Sequence, residues 1–128
     1  MTFESPIATV LLAEDDRSMR EIIKRMLNRL GRYSVLEAPD GEIAYALLTT
    51  TPFVNLVISD WDMPKLSGID FLKKVRAHPE LSQTKFVLLT GRGTKNAVVA
   101  AIEAKVTNYI VKPFSFGDFE GIIRKLLP

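Results

Sequence analysis

Short apolar runs alternate with amphipathic stretches five times along this chain, and no linker or internal repeat separates them. A short apolar run followed by apolar side chains at helical spacing is typical of a buried strand followed by a helix. Because five such units follow one another, the sequence predicts an α/β fold, with one parallel sheet and helices on both faces. The predicted strands span residues 8–13, 33–38, 53–59, 85–90 and 107–111.

Residues that favour helix ends mark the boundaries of the predicted helices. The first apolar helical face runs from Met19 to Leu30, and Gly31 ends it. Gly68 opens the third predicted helix, and Thr94 is placed to cap the fourth. Five helices are therefore expected to accompany the five strands.

The bulk properties of the chain indicate one soluble domain that spans residues 1–128. The sequence has no cysteine, no apolar run long enough to cross a bilayer and no secretory leader, so we expect a cytoplasmic protein without membrane insertion. Six basic residues cluster within residues 17–32, but neither a recognition helix for nucleic acid nor interleaved aromatic residues accompany them. We therefore expect a solvated helix face there and no binding of nucleic acid. We also expect a monomer.

Polar side chains stand where four of the five predicted strands end. They are Glu14-Asp15-Asp16 after the first strand, Asp60 after the third, Thr90 at the end of the fourth and Lys112 after the fifth. In an open parallel sheet, ligands bind just beyond the carboxyl ends of the strands. The sequence therefore predicts that acids, a hydroxyl and a lysine meet at one edge of the sheet.

Three of these acids, Asp15, Asp16 and Asp60, predict a site for Mg²⁺. Clustered carboxylates repel one another, and a hard divalent cation relieves that repulsion. The absence of cysteine and the distant position of the single histidine favour Mg²⁺ over Zn²⁺. Because protein-bound Mg²⁺ commonly bridges to phosphate oxygens, the site predicts phosphoryl chemistry, with Asp60 as the nucleophile. Lys112 and Thr90 would then stabilise the transferred group.

The order and spacing of these residues resemble a receiver domain of a bacterial two-component response regulator, and in particular the single-domain chemotaxis type. The resemblance covers essentially the whole chain, from Val10 to Leu127. It is carried by Glu14-Asp15-Asp16, Asp60-Trp61-Asp62-Met63-Pro64 with Gly68, Thr90-Gly91, Tyr109 and Lys112-Pro113-Phe114. The resemblance implies a flavodoxin-like, doubly wound sheet of five parallel strands in the order 2-1-3-4-5.

The same resemblance implies a signalling protein rather than an enzyme with a separate substrate, one that catalyses only its own phosphorylation and dephosphorylation. Asp60 would accept a phosphoryl group from the phosphohistidine of a histidine kinase. Mg²⁺ would be bound by Asp15, Asp16, Asp60 and the backbone carbonyl of Asp62.

The resemblance further implies a switch that is read by a second protein. Lys112 would pair with the phosphoryl group, Thr90 would move toward it, and Tyr109 would swing inward behind Thr90. The fourth helix, fifth strand and fifth helix would then bind a downstream target, either the flagellar motor switch or a phosphotransfer protein. The family also implies a cis peptide bond before Pro113.

Two further positions are singled out by comparison with the family pattern. Asp62 and Arg92 carry opposite charges and flank the expected phosphoryl group, so we expect an ion pair that lengthens its lifetime. Lys105 stands where many receiver domains have glycine, which predicts a strained residue if the backbone there is left-handed.

Other functions remain open on the sequence alone. A phosphorelay shuttle and a receiver that docks without accepting phosphate fit the same fold. Asp60-Trp61-Asp62 superficially matches the acid pair of haloacid-dehalogenase-like phosphatases, but the metal-binding acids of that family follow the lysine, whereas here they precede it. A flavin-binding flavodoxin is disfavoured because no Ser/Thr/Gly phosphate loop follows the first strand.

Overall fold

Five parallel strands in the order β2-β1-β3-β4-β5 form one sheet in the computed structural model, which describes residues 5–128. The strands are β1 Ala8–Ala13, β2 Tyr33–Ala38, β3 Leu56–Asp60, β4 Phe86–Thr90 and β5 Asn108–Val111. The helices are α1 Arg17–Leu30, α2 Gly41–Thr50, α3 Gly68–Ala77, α4 Lys95–Glu103 and α5 Phe116–Leu126. The predicted α/β architecture, with its flavodoxin-like strand order and five helices, is confirmed.

The alternation of side chains along the strands divides the core into two layers. In β1, Val10 and Leu12 pack with residues of α1 and α5 on one face of the sheet, whereas Leu11 and Ala13 pack with α2, α3 and α4 on the other. All four side chains are fully buried. Because helices cover both faces, the strands cannot slip without exposing apolar surface, and the carboxyl edge of the sheet has a fixed geometry.

Each of the five helices begins with a polar side chain that accepts a hydrogen bond from a backbone N–H of the first turn, as N-caps do. The capping residues are Asp16, Asp40, Ser67, Thr94 and Ser115. The cap predicted at Thr94 is thereby confirmed. Among residues 5–128, no helix is long and apolar enough to cross a membrane.

The third strand begins later than the sequence predicts. Residues 53–59 were expected, but β3 is Leu56–Asp60. Pro52 and Phe53 form a turn in which Phe53 has a φ of 60° and is 90% exposed. A left-handed residue cannot continue a strand, so the ladder starts only after the Asn55 N–H has bonded to the Thr9 carbonyl at 2.9 Å. The strand also ends one residue later than predicted, so Asp60 is its last residue rather than the first one beyond it.

Two backbone features expected from the family resemblance are confirmed. The peptide bond between Lys112 and Pro113 is cis. Lys105, just after α4, has a φ of 63°, so this lysine occupies the left-handed conformation that favours glycine.

Gly68 is required where α3 approaches the end of β3. Its N–H donates to the Trp61 carbonyl at 2.8 Å, and a Cβ at this position would overlap the backbone oxygen of Asp60. We expect Gly68→Ala to lower the free energy of unfolding by about 2 kcal/mol or more, because two backbone segments must separate. Urea denaturation measures this. Gly121→Ala in α5 is the matched control, since a Cβ there meets nothing within 4 Å. It should stabilise the protein by about 0.5–1 kcal/mol, and equal behaviour of the two variants would contradict the prediction.

Candidate functional site

The register of the sheet places an acid of the first loop beside the end of β3. Ala13 pairs with Ser59, so one step further along the strands Glu14 stands level with Asp60. The Glu14 N–H continues the ladder by donating to the Ala38 carbonyl at 3.0 Å. Glu14 is thus held as an extension of β1, and its side chain faces the carboxyl edge of the sheet.

Three carboxylates meet at this edge, from Glu14, Asp15 and Asp60. One oxygen from each lies within 4.8 Å of the other two. Glu14 is 1% exposed and Asp60 is 7% exposed, whereas Asp15 is exposed and leaves the cluster open to solvent on its side. The cluster therefore combines two buried acids with one that a solvated ligand can approach.

The structure gives Asp16 a different position from the one that the sequence predicts. Its Oδ1 accepts a hydrogen bond from the Ser18 N–H at 2.9 Å and caps α1. Glu14, which the sequence analysis did not assign to the metal, supplies an oxygen to the cluster in its place. The backbone turns between Asp15 and α1, so only the first two of the three consecutive acids point toward Asp60.

Lys112 supplies the cationic group of the site. It lies directly after β5, and its Nζ is 3.1 Å from Asp60 Oδ1 and 3.4 Å from Glu14 Oε1. Burial lowers the pKa of Lys112, but its attraction to Asp60 and Glu14 outweighs burial and raises the pKa overall. The lysine therefore stays charged at neutral pH, within contact distance of Asp60.

The site contains more carboxylate than Lys112 neutralises. Burial, followed by a hydrogen bond to Asp60 and repulsion from it, raises the pKa of Glu14 to about 8, although Lys112 opposes the shift. Glu14 Oε2 is buried and has no hydrogen-bond partner among the described residues. An unpartnered carboxylate oxygen beside two further acids matches the all-oxygen coordination of a hard divalent cation such as Mg²⁺. The residues present therefore fit the predicted metal.

The two predicted switch residues lie on the same face of the sheet. Thr90 is 2% exposed, and its Oγ1 accepts a hydrogen bond from the Arg92 N–H at 2.7 Å. Leu88 pairs with Tyr109 and Thr90 pairs with Val111, so Tyr109 lies two residues behind Thr90 along the strand direction. Tyr109 is half-buried and packs at the edge of the core layer that contains α3 and α4. Thr90 and Tyr109 thus lie on the same face of the sheet, on neighbouring strands.

Asp62 and Arg92 form an ion pair above the site. Arg92 Nη2 donates to Asp62 Oδ1 at 2.7 Å, and both side chains are more than half exposed. The guanidinium carbon also lies 5.7 Å from the ring centre of Trp61. The pair therefore connects the loops that follow β3 and β4.

The cluster member that the sequence analysis missed is Glu14, and the strand pattern contained a signal for it. β1 ends at Ala13, so the next residue is the one that continues the pairing with Asp60 in β3. This signal locates the acids at the end of β1, and the turn into α1 decides which of them face Asp60.

Comparison with known proteins gives one consistent family. The family model described as the response regulator receiver domain matches residues 10–124. A Campylobacter jejuni protein named chemotaxis protein CheY homolog is 43% identical over 106 residues, which are 83% of this chain and 82% of that protein. Chemotaxis protein CheY-3 of Vibrio cholerae is 38% identical over 117 residues, covering 91% of this chain and 89% of its own.

Solved structures give the same result for the fold. The chemotaxis response regulator CheY4 of Vibrio cholerae superposes with a TM-score of 0.85 at 29% identity, covering 94% of this chain and 99% of that one. A response regulator from Chloroflexus aurantiacus superposes with a TM-score of 0.86 at 28% identity, covering 95% and 98% of the two chains. The structural similarity therefore covers nearly the whole chain.

Proposed function

This chain belongs to the response regulator receiver domain family, and we propose that it is a phosphorylation switch in which Asp60 accepts a phosphoryl group from the phosphohistidine of a histidine kinase. Receiver domains of this type are signalling proteins of two-component systems, and they work with histidine kinases and downstream targets. One observation carries the proposal for Asp60. Its carboxylate lies 3.1 Å from Lys112 Nζ inside a cluster of three acids that fits a divalent cation.

The proposed metal ligands are Glu14, Asp15 and Asp60, together with the backbone carbonyl of Asp62. Glu14 takes the place first expected for Asp16, whose carboxylate caps α1. Mg²⁺ would supply positive charge that neutralises the carboxylates and the oxygens of the incoming phosphoryl group. The exposed Asp15 leaves the cluster open to solvent on one side, so a solvated cation and a phosphoryl group would have access to it.

The transfer needs little besides positioning and charge. A carboxylate oxygen of Asp60 forms the new P–O bond while the P–N bond of the phosphohistidine breaks, and the histidine nitrogen keeps the electron pair. Lys112 Nζ, already near both Asp60 and Glu14, stabilises the charge on the transferred group. Water later hydrolyses the acyl phosphate and restores the carboxylate.

Phosphorylation would change the hydrogen bonding of Thr90. The phosphoryl group brings close to two negative charges and several acceptor oxygens to the end of β3. The Thr90 hydroxyl can donate its hydrogen to one of those oxygens, whereas now its oxygen only accepts from the Arg92 N–H. Its movement would vacate space on the face that it shares with Tyr109, and the half-buried ring could turn inward.

The proposed readout surface consists of α4, β5 and α5. Val99, Ile102 and Val111 are exposed apolar side chains on this surface, with Ile102 61% exposed. A groove of about 460 Å³ runs along β5 and α5 and is lined by residues that include Tyr109, Phe114 and Ile122. Because Tyr109 lines this groove, its rotamer would change the shape that a partner meets. A coupling of about 1–3 kcal/mol is typical for such switches.

We propose the flagellar motor switch as the downstream target of a monomeric signalling protein, and the relatives that are named as chemotaxis proteins agree with a role in chemotaxis. Pull-downs with the phosphorylated and unphosphorylated chain test this target. Transfer of the phosphoryl group onward to a histidine protein would instead support the phosphorelay shuttle.

The test of the proposed function is phosphorylation of the purified chain by acetyl phosphate, followed by intact mass measurement. We expect one added phosphoryl group per chain with Mg²⁺ and none when a chelator removes the metal. Steady turnover of a phosphate monoester would instead support the phosphatase alternative. A chain that stays unmodified with both acetyl phosphate and a phosphorylated kinase domain would overturn the proposal.

Arg92→Ala is expected to shorten the lifetime of the phosphoryl group by about two- to fivefold, because the loss of one exposed ion pair changes barriers modestly. In the parent chain, the pair that Arg92 forms with Asp62, two residues from Asp60, is proposed to restrict the approach of water to the phosphoryl group. Loss of phosphate after removal of the donor, followed by mass, measures the lifetime. Arg124→Ala is the matched control, because Arg124 forms a comparable exposed pair with Glu120 far from the site. An unchanged or longer lifetime for Arg92→Ala would contradict the prediction.

A further inference from the structure

Arg20 contacts the backbone of the acid cluster rather than its carboxylates. It lies in the first turns of α1, and its Nη1 donates a hydrogen bond of 2.8 Å to the backbone carbonyl of Glu14. Arginine side chains in helices lean toward the N-terminus, which directs this guanidinium at the loop between β1 and α1. The contact is partly buried, so water competes weakly for the carbonyl.

This one hydrogen bond orients two of the three proposed metal ligands. The Glu14 carbonyl belongs to the peptide group that joins Glu14 to Asp15, and a peptide group is planar. The Glu14 N–H is fixed from the other side, because it donates to the Ala38 carbonyl of β2 at 3.0 Å. With the backbone held before and after the Glu14 Cα, the directions of the Glu14 and Asp15 side chains are both restricted.

The guanidinium also forms an ion pair, without a hydrogen bond, with an acid that lies outside the cluster. Arg20 Nε lies 3.5 Å from Glu37 Oε1 in β2, and Lys24 Nζ lies 3.1 Å from Glu37 Oε2. Glu37 therefore balances the charge of Arg20 away from the site. The arrangement places a cation near the cluster without letting it occupy the carboxylate oxygens that a metal ion needs.

We propose that Arg20 is a positioning residue for the divalent-cation site, holding the peptide between Glu14 and Asp15 in the orientation that metal binding requires. The inference rests on the proposed function, since it assumes that the three acids bind Mg²⁺. Arg20 acts through the backbone and touches neither the metal nor the phosphoryl group.

The sign of the effect separates positioning from simple electrostatics. If Arg20 acted only through its charge, its removal would strengthen cation binding, because the bound cation would meet less repulsion near the three acids. Loss of a positioning contact weakens it, and groups that orient metal ligands typically change metal affinity by about tenfold or more. Arg20→Met keeps the apolar stem and removes the hydrogen bond. Lys24→Met is the matched control, because Lys24 pairs with the same Glu37 and has no contact with Glu14 among the described residues.

The experiment is a Mg²⁺ titration followed by the fluorescence of Trp61, the single tryptophan, which lies next to Asp60. We expect the dissociation constant of Arg20→Met to rise about tenfold, whereas that of Lys24→Met should stay equal or fall. Arg20→Lys should recover only part of the affinity, because one ammonium cannot reproduce the planar fork. In the metal-free protein, the Asp15 amide resonance should shift more in Arg20→Met than in Lys24→Met.

Two failures are distinguishable in this design. If the parent chain shows no saturable response to Mg²⁺, the proposed metal site fails and the inference is overturned with it. If the parent binds Mg²⁺ and Arg20→Met binds it at least as tightly, the inference alone is overturned. A thermal melt of each variant separates positioning of the metal ligands from a general effect on stability. If Arg20 only stabilises the fold, Arg20→Met changes the melting temperature and leaves the dissociation constant for Mg²⁺ unchanged.

Discussion

Replacing Asp60 with asparagine should abolish phosphoryl uptake. The amide is nearly isosteric with the carboxylate, so the fold and the contact with the Trp61 N–H at 2.8 Å can persist. An amide oxygen is not a competent nucleophile toward phosphorus, and it cannot form an acyl phosphate. Intact mass after incubation with Mg²⁺ and acetyl phosphate should show one added phosphoryl group on the parent chain and none on the variant.

Asp62→Asn is the matched control for Asp60→Asn. It removes the same charge two residues further along, from a side chain that is exposed and paired with Arg92. This control should still be phosphorylated, with an altered lifetime, because only the Asp62 carbonyl is proposed to bind the metal. Stoichiometric labelling of Asp60→Asn would identify another acceptor and contradict the assignment.

The fold could be predicted from the sequence because its pattern repeats. Each buried strand is a short apolar run, and each helix has one apolar face, so local signals agree with the parallel sheet. The start of β3 could not be predicted, because residues 53–55 are apolar or neutral and resemble a strand. Only the left-handed backbone at Phe53 separates them from it, and the sequence gives no direct sign of that conformation.

The acid cluster could be located from the sequence but not resolved to single residues. Three consecutive acids, from Glu14 to Asp16, follow β1, and each could have faced Asp60. The choice depends on where the chain turns into α1, which the hydrogen bond from the Ser18 N–H to Asp16 fixes. Asp16 is as good a helix cap as it is a metal ligand, so residue type alone does not separate the two roles.

A pattern of residue types does not predict a contact between a side chain and a distant backbone group. The ion pair between Asp62 and Arg92 was expected, because opposite charges follow neighbouring strands, and the structure contains it. The bond from Arg20 to the Glu14 carbonyl has no such signal, since every residue has a carbonyl. The basic stretch that includes Arg20 was interpreted as a solvated face, but Arg20 and Lys24 are partly buried against Glu37.

Glu14→Gln should weaken Mg²⁺ binding and, without metal, stabilise the protein at alkaline pH. Glutamine keeps the volume of the side chain and can donate a hydrogen bond toward Asp60, as a protonated Glu14 does. It cannot carry the negative charge that attracts a cation, so we expect Mg²⁺ affinity to fall by about tenfold or more. The Trp61 fluorescence titration measures this loss directly.

The stability effect follows from the pKa of Glu14, which rises from 4.5 to about 8 in the folded chain, chiefly because of burial. Between these two pH values the folded state keeps a proton that the unfolded state has released. Stability of the metal-free parent therefore falls as pH increases through this window. Glutamine does not titrate, so the variant escapes this fall, and its relative gain should reach several kcal/mol above pH 8, since each unit of pKa difference corresponds to about 1.4 kcal/mol.

Urea denaturation at pH 5 and pH 8.5, with chelator or with excess Mg²⁺, tests both effects of Glu14→Gln together. With chelator, the two proteins should be similar at pH 5, and the variant should be more stable at pH 8.5. Excess Mg²⁺ should stabilise the parent by about 1.4 kcal/mol more than the variant if the affinities differ tenfold, because stabilisation by a ligand grows with the logarithm of its concentration divided by its dissociation constant. Glu120→Gln on the exposed face of α5 is the control and should show neither effect. If the variant is instead less stable than the metal-free parent at pH 8.5, Glu14 is ionised and well paired there without a cation. The acid cluster would then carry no uncompensated negative charge for Mg²⁺ to neutralise.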